Sequence, residues 1–183
     1  DGAILVGQGF AVLERQIDED TFYAGHVSIP AAFDHGVGDL PCLPVAGKGA
    51  RVNALGKDSA GNLYAGGYTT DTNNIRHWIV RKSADGGSNW TTVDDYQFDA
   101  NYNSNILALT GDSAGNLYVA GTGGDLTTTH WIVRKSTDGG ATWSTVSDYL
   151  HGGGVESSPF SIVSDSTNTV YVAGYGFASG AYN

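Results

Sequence analysis

The segment HWIVRKSTDGGATW, His130–Trp143, decides the fold, because HWIVRKSADGGSNW, His77–Trp90, is a near copy of it 53 residues earlier. A second motif recurs in the same order. GDSAGNLYVAG (111–121) follows KDSAGNLYAGG (57–67) by 54 residues and precedes SDSTNTVYVAG (164–174) by 53. Two motifs that recur in a fixed order at a fixed spacing indicate a repeat protein.

Each repeat divides into four strand-like pieces. In one copy they read ILALTGD, LYVAGTG, HWIVRKS and TWSTVSDYL, with SAGN and TDGGA as turns. β-branched and aromatic residues fill the pieces, and Gly, Asp and Asn separate them. Four strands in about 50 residues match one β-propeller blade. We therefore predict an all-β fold of four-stranded antiparallel blades in a β-propeller-like repeat, with about three and a half blades in this chain.

The repeat also predicts the boundaries of the blades. Asp-rich turns and strands define blades at 50–105 and 106–158 and a partial blade at 159–183. Residues 1–49 are interpreted as a diverged half-blade, in which Tyr23-Ala24-Gly25 matches Tyr64-Ala65-Gly66, plus an irregular insertion. A closed propeller needs at least about four blades. We therefore expect a homo-oligomer or a part of a longer chain, with a compact four-bladed ring as the alternative.

Composition excludes several classes of partner. The chain of 183 residues has a net charge of −10, with 9 basic against 19 acidic residues, and this disfavours binding to nucleic acid. No apolar run of about 18 residues occurs, so we expect no membrane insertion. Met is absent, even at position 1, which favours a processed chain or a fragment. Together with the composition, this favours a secreted or bacterial cell-surface protein.

The segment STDGGATW has a structural interpretation at every position. Its Asp can accept hydrogen bonds from backbone N–H groups, its glycines permit positive φ, and its Trp can pack beside the turn. A catalytic nucleophile would need a neighbouring base, and no His lies near either copy in sequence. We therefore predict structural roles for the following residues: Ser83, Asp85, Gly87, Trp90, Ser136, Asp138, Gly140 and Trp143.

These two segments resemble the Asp-box, or BNR, repeat, whose pattern is Ser-x-Asp-x-Gly-x-Thr-Trp. Residues 136–143 match it at every position, and residues 83–90 differ only in Asn89. The motif at 112–121 is similar to the first hairpin of bacterial β-propeller repeat proteins. The resemblance covers about residues 50–176. It implies that each box lies between the third and fourth strands of a blade and away from any catalytic centre.

The function predicted from the sequence is non-enzymatic recognition of a glycan, because aromatic residues make up 11% of the chain. Sugars stack their C–H faces on aromatic rings, and pockets repeated on several blades would add avidity. The same positions also suit ordinary packing between strands, and Trp78 and Trp131 are expected to pack between blades. The candidate ligand-binding residues are Tyr68, Tyr175, His77, His130, Arg81 and Arg134.

Two other functions remain open at this point. A structural or fibre scaffold is favoured by near-identical repeats, since specific pockets normally diverge. A fragment of a sialidase-like glycosidase would need an arginine triad, a Tyr–Glu pair and an Asp acid. Arg81 and Arg134 occupy one repeat position, and the only glutamates are Glu14, Glu19 and Glu156. We therefore predict no enzyme, no catalytic residue, no cofactor and no metal site.

Overall fold

The computed structural model of the chain describes residues 49–178 and three short strands before them. These strands, β1 (Ile4–Val6), β2 (Phe10–Val12) and β3 (Val27–Ser28), pair in that order into an antiparallel sheet. The chain divides into two compact parts, residues 1–39 and 40–183. The predicted counterpart of Tyr64-Ala65-Gly66 at Tyr23-Ala24-Gly25 and most of the predicted insertion lie outside the described residues.

Residues 49–178 form ten strands and contain no helix. Alternation of β-branched or aromatic residues with glycine and small polar residues accounts for the strands. The strands are β4 (Ala50–Lys57), β5 (Leu63–Thr70), β6 (Arg76–Ser83), β7 (Thr91–Tyr96), β8 (Ser104–Gly111), β9 (Leu117–Gly124), β10 (Thr129–Ser136), β11 (Ser144–Tyr149), β12 (Gly154–Ser164) and β13 (Val170–Ala178).

Consecutive antiparallel pairing groups these strands into repeated units. The first unit is the sheet β4-β5-β6-β7, the second unit is β8-β9-β10-β11, and the hairpin β12-β13 is the described part of the third unit. A parallel pair between Thr129 of β10 and Glu156 of β12 joins the second and third units into one sheet. The prediction of an all-β, propeller-like fold of four-stranded antiparallel blades is confirmed.

The first strand of every unit has a β-bulge at the same repeat position. The bulged residues are Asn53, Leu107 and Phe160, and pairing is interrupted on either side of each. A bulge adds one residue to a strand and bends it. These first strands lie side by side, and Asn53 Nδ2 donates to Asn105 Oδ1 (3.0 Å) and to the Ile106 carbonyl (2.7 Å). The bulges therefore bend the first strands of successive units at the same repeat position.

A glycine on the second strand faces each bulge. A Cβ at Gly121 would overlap the Asn105 carbonyl oxygen and lie 2.8 Å from Trp78 Cζ3. Gly67 and Gly174 are the equivalent residues of the other units, and a Cβ there would overlap the carbonyl oxygens of Arg51 and Ser158. Only a residue without a side chain permits this close approach of two backbones.

The larger of the two buried apolar clusters of the described residues lies between the first and second units, and the smaller one brings Tyr118, Ala120 and Val133 together with Ile162 of β12. Tyr64, Trp78 and Val80 of the first unit are fully buried, and they belong to one cluster with four residues of the second unit. Those four are Ile106, Leu117, Val119 and Ile132. The prediction that Trp78 packs between blades agrees with this cluster. Burial of several such side chains, each stabilising by about 1.5–3 kcal/mol, holds the first two units together.

Antiparallel pairing places the connections at two opposite ends of each unit. One end, here called the box edge, carries the turns at 58–62, 84–90, 112–116, 137–143 and 165–169. The other end, here called the loop edge, carries the connections 71–75, 97–103, 125–128 and 150–153. The two edges are separated by the length of an eight-residue strand, roughly 25 Å.

Candidate functional site

The two box segments fold into the same hydrogen-bonded turn. Ser136 Oγ donates to Asp138 Oδ1 (2.8 Å) and accepts from the Gly140 N–H (2.8 Å). Asp138 accepts from the Thr142 N–H (2.9 Å), and Trp143 Nε1 donates to the Gly140 carbonyl (3.1 Å). The copy at residues 83–90 repeats these bonds at 2.7–2.9 Å. The functional groups of the segment are therefore used within the turn.

The bonds of the box turns favour the charged form of their carboxyl groups. Hydrogen bonds from Thr142 and Ser136 lower the pKa of Asp138 to about 2. Hydrogen bonds from Asn89 and Ser83 lower the pKa of Asp85 to about 2 in the same way. A general acid near neutral pH needs a raised pKa. These carboxylates are thus suited to holding turns.

The second box turn also joins the first unit to the second. The Gly139 carbonyl accepts from the Tyr64 hydroxyl (2.9 Å) and from Lys82 Nζ (2.8 Å). Burial, followed by the hydrogen bond to Asp58, raises the pKa of Tyr64 well above its usual range. Tyr64 therefore stays protonated and remains a donor.

Arg81 and Arg134 bond within the scaffold. Arg134 forms a bidentate ion pair with Asp94 of the first unit, in which Nε and Nη2 each donate over 2.9 Å to a different carboxylate oxygen. Its guanidinium also lies 4.3 Å from the Tyr96 ring centroid. Burial raises the pKa of Asp94, and the bonds from Arg134 oppose that rise. Arg81 is buried, and its guanidinium donates to the Trp90 carbonyl.

His77 and His130 lie at equivalent places on the loop edge, and each bonds a carboxylate. His77 Nδ1 is 3.0 Å from Asp95 Oδ1, and His130 Nδ1 is 2.6 Å from Asp148 Oδ1. In both units the fourth strand supplies this aspartate. The His130 ring also stacks on Phe98, with centroids 4.5 Å apart.

Tyr68 lies near the same edge, on the second strand of the first unit. It pairs in register with Arg51 and Trp78, and the Arg76 guanidinium lies 4.5 Å from its ring centroid. Its repeat equivalent in the second unit is Thr122, so the aromatic ring is not a constant feature of the repeat. The equivalent in the third unit is Tyr175.

Tyr175 belongs to a compact group of aromatic and acidic side chains at the loop edge. Its hydroxyl donates to the carboxylate of Glu156, which lies near the start of β12 and is partly buried. Its ring contacts Phe160 (5.1 Å between centroids) and Phe177 (4.8 Å). Phe160 is 66% exposed and Phe177 is 38% exposed. A carboxylate beside accessible aromatic rings suits the binding of a sugar.

Sequence reasoning singled out Tyr175 but missed its partner Glu156. The pairing depends on the register of β12 and β13, in which Glu156 lies opposite Phe177, two residues from Tyr175. One sequence signal was available. Asn103 occupies the equivalent place in the second unit, so Glu156 is a residue that breaks the repeat. Departures from a repeat are where a specific site is expected, because the shared positions maintain the scaffold.

Solved structures that are similar to this chain share its propeller-like fold. An α-L-arabinofuranosidase from Fusarium graminearum, bound to an iminosugar inhibitor, has a TM-score of 0.51 and 18% identity, covering 74% of this chain and 52% of its own length. An α-L-arabinanase from Penicillium chrysogenum, bound to arabinobiose, has a TM-score of 0.50 and 18% identity, with coverage of 67% and 41%. A protein of unknown function from Dyadobacter fermentans has a TM-score of 0.51 and 15% identity, with coverage of 72% and 45%.

The chain thus spans about two fifths to one half of the length of these proteins. No protein-family model matches the sequence, and no curated protein matches it. Among the described residues, no helix has the length and apolar character needed to cross a membrane.

These comparisons correct the function predicted from the sequence. A non-enzymatic recognition module was expected, but the similar structures with a stated activity are glycoside hydrolases. The predictions of a lectin-like protein and of no enzymatic activity are therefore wrong. The arginine triad of the sialidase pattern serves to bind a carboxylate, whereas an arabinofuranoside carries no carboxylate, so the absence of that pattern does not argue against a glycosidase of this kind.

Proposed function

We propose that this chain is part of a β-propeller glycoside hydrolase that acts on α-L-arabinofuranosyl groups. The observation that carries the proposal is the Glu156–Tyr175 pair, with Phe160 and Phe177 beside it, at the loop edge. The shared fold of an arabinofuranosidase and an arabinanase supports the choice of sugar. A glycosidase uses two carboxyl groups at the scissile bond, and Glu156 is the one that we assign.

The chemistry follows from the surroundings of Glu156. The hydroxyl of Tyr175 donates to its carboxylate and so fixes the orientation of that group. A fixed carboxylate is what a nucleophile or a general base requires. The exposed faces of Phe160 and Phe177 offer surfaces on which the C–H faces of a sugar can stack. Exclusion of water by those rings would strengthen the electrostatic interactions of the carboxylate.

Further sugar contacts are proposed along the loop edge. His77 and His130, each held by an aspartate, and Tyr68 face solvent in part and can bond or stack on neighbouring sugar units. Arg81 and Arg134 are left out of this assignment, since their guanidinium groups bond within the scaffold.

We also propose that the two box turns are Asp-boxes with a purely structural role. The internal bonds of both turns, and the position of each turn between the third and fourth strands of a unit, support this assignment. A polymeric glycan that lies outside the cell is reached by a secreted or surface-bound hydrolase. The same proposal therefore has two further parts. The protein is secreted or lies at the cell surface, and further units or copies complete the ring.

Hydrolysis by the purified protein of which this chain is a part tests the assignment. We expect release of arabinose from arabinan, arabinobiose or an aryl α-L-arabinofuranoside, reduced at least about 100-fold in Glu156→Gln. Tyr175→Phe should retain more activity and should shift the pH profile, because the hydroxyl acts on the carboxylate. Ser161→Ala, on the same strand, serves as the matched control. Absence of release by that protein in a well-folded state, or full activity of Glu156→Gln, would contradict the proposal.

A further inference from the structure

Two arginines at the loop edge of the first unit are not used by the scaffold. Arg51 lies near the start of β4 and Arg76 at the start of β6, and both side chains are exposed. Neither forms an ion pair with any residue that the structure describes. Arg81 and Arg134, by contrast, are bonded within and between units. The two exposed guanidinium groups therefore make a local positive site in a chain whose net charge is −10.

The register of the sheet places both arginines beside Tyr68. Arg51 lies directly opposite Tyr68 on the neighbouring strand, and residues opposite each other share a face. Trp78 lies opposite Tyr68 on the other side, and Arg76 is two residues from Trp78, so it is on the same face. The Arg76 guanidinium lies 4.5 Å from the centroid of the Tyr68 ring. This cation–π contact holds the guanidinium of Arg76 in place.

Asn103 of the second unit adds a fixed hydrogen-bond donor. Its Oδ1 accepts from the Arg76 N–H (2.8 Å), and its side chain is exposed. Because the amide oxygen is used in that bond, the amide nitrogen is left to donate two hydrogen bonds. Two guanidinium groups and an amide nitrogen thus present donors at one place. Such a set favours an anionic group that only accepts hydrogen bonds, rather than a neutral hydroxyl.

The aspartates near this edge are bonded elsewhere. Asp71 and Asp99 each accept backbone N–H bonds within their own turns. Asp95 bonds His77, which alternates with Arg76 along β6 and so lies on the opposite face of the sheet. These carboxylates therefore do not occupy the place that an anionic ligand would take beside the arginines.

The arrangement belongs to the first unit alone among the two complete units. The repeat equivalents of Arg51, Tyr68 and Arg76 in the second unit are listed in that order as Asn105, Thr122 and Thr129. The second unit folds as a four-stranded sheet without these side chains. The fold of a unit does not require them, so they are suited to a specific contact with a ligand.

We propose that Arg51, Arg76 and Asn103, beside Tyr68, bind the carboxylate of a uronic acid unit in a glycan. The planar fork of an arginine matches a carboxylate through two parallel hydrogen bonds. The site deepens the proposed function and rests on it in one respect, that the uronic acid belongs to the polymer that carries the arabinofuranosyl groups. It makes the protein selective for an acidic polysaccharide over a neutral one.

Calorimetric titration of the protein that contains this chain with trigalacturonate tests the proposal. We expect saturable binding that weakens at least about 10-fold when the carboxyl groups of the trimer are methyl esters, because the charge-assisted bonds are then lost. Arg76→Gln should weaken binding of the acid at least about 10-fold, and Arg51→Gln should act in the same direction. Lys57→Gln is the matched control, since it removes an exposed positive charge at the box edge of the same unit.

Comparison of the acid with its ester uses the unaltered protein, so the test does not depend on the folding of a variant. Equal binding of the two ligands, or binding that Arg51→Gln and Arg76→Gln leave unchanged, would overturn the proposal. An equal loss in Lys57→Gln would also overturn it, because net charge would then attract the ligand. Displacement of the trimer by inorganic sulfate at the same concentration would overturn the choice of a uronic acid.

Binding of trigalacturonate is measured apart from hydrolysis, because the trimer contains no arabinose. Binding without release of arabinose from arabinan would support this site and contradict the proposed function. Release of arabinose without binding of the trimer would support the proposed function and overturn this site.

Discussion

At the scale of single residues, the box turns show how a short polar segment can act as scaffold. Asp85 and Asp138 each accept bonds from a serine hydroxyl and from the backbone four residues later. Their residue types and spacing predicted bonds within the turn, because such bonds are local. Glu156 could not be assigned in that way, because its partner lies 19 residues further along the chain.

The lowered pKa values of the two box aspartates predict a specific loss of stability in acid. Both pKa values are about 2 in the folded chain and higher when it is unfolded, so their contribution is present above about pH 4 and is lost as the pH falls towards 2. We expect the double variant Asp85→Asn, Asp138→Asn to show a smaller decrease in melting temperature between pH 4 and pH 2. Parallel curves for the two proteins would contradict this.

The buried ion pair between Arg134 and Asp94 predicts strong coupling between two units. The exposed fractions of the two side chains are 11% and 7%, so removal of one leaves the other charge buried. Arg134→Met should lower the free energy of unfolding by about 3–5 kcal/mol. Adding Asp94→Leu should recover most of that loss, as measured in a double-mutant cycle by urea unfolding. Additive losses from the two single changes would argue against coupling.

At the scale of strands, the order and number of elements followed from the repeat. The predicted fourth piece began at Thr142, whereas β11 begins at Ser144, because Thr142 and Trp143 bond within the box turn. The bulges at the first strands gave no sequence signal, since a β-bulge is defined by pairing between strands. The glycines opposite them are present in the sequence, but glycine by itself indicates a turn as readily as a close approach of two strands.

These glycines give a prediction for the strands. Gly121→Ala should lower the free energy of unfolding by at least about 2 kcal/mol, because its Cβ would overlap the Asn105 carbonyl and crowd Trp78. Gly152→Ala is the matched control, since a Cβ there has nothing within 4 Å. Thermal and urea unfolding of the two variants measure the difference. Equal stability of the variants would show that the bulge adjusts easily.

At the scale of the whole molecule, the two contacts between units should differ in strength. Trp78 is fully buried in the cluster between the first and second units, whereas its repeat equivalent Trp131 is only partly buried against the smaller cluster. Trp78→Ala should lower the free energy of unfolding by about 3–5 kcal/mol, and Trp131→Ala by about half as much. Urea unfolding of the two variants compares them directly. Equal losses would contradict the expected difference between the two contacts.

The repeat predicted the architecture but not the activity, and the reason is physical. Positions that recur, such as Trp78 and Trp131, satisfy the same packing in every unit and carry no information on a substrate. The candidate site depends on residues that do not recur, Glu156 and Phe177 among them, and on the register that brings them together. Such residues are recognised only when the repeats are aligned and the positions that they share are set aside.

The bond from Tyr64 to the Gly139 carbonyl has a consequence for biosynthesis. The first unit ends at Tyr96, yet the acceptor that completes it lies about 40 residues further along the chain. On the ribosome, therefore, each unit waits for most of its successor to emerge before its apolar face is covered. Synthesis of this protein should therefore proceed with the apolar face of the newest blade exposed, a state that favours aggregation until the next blade packs on it.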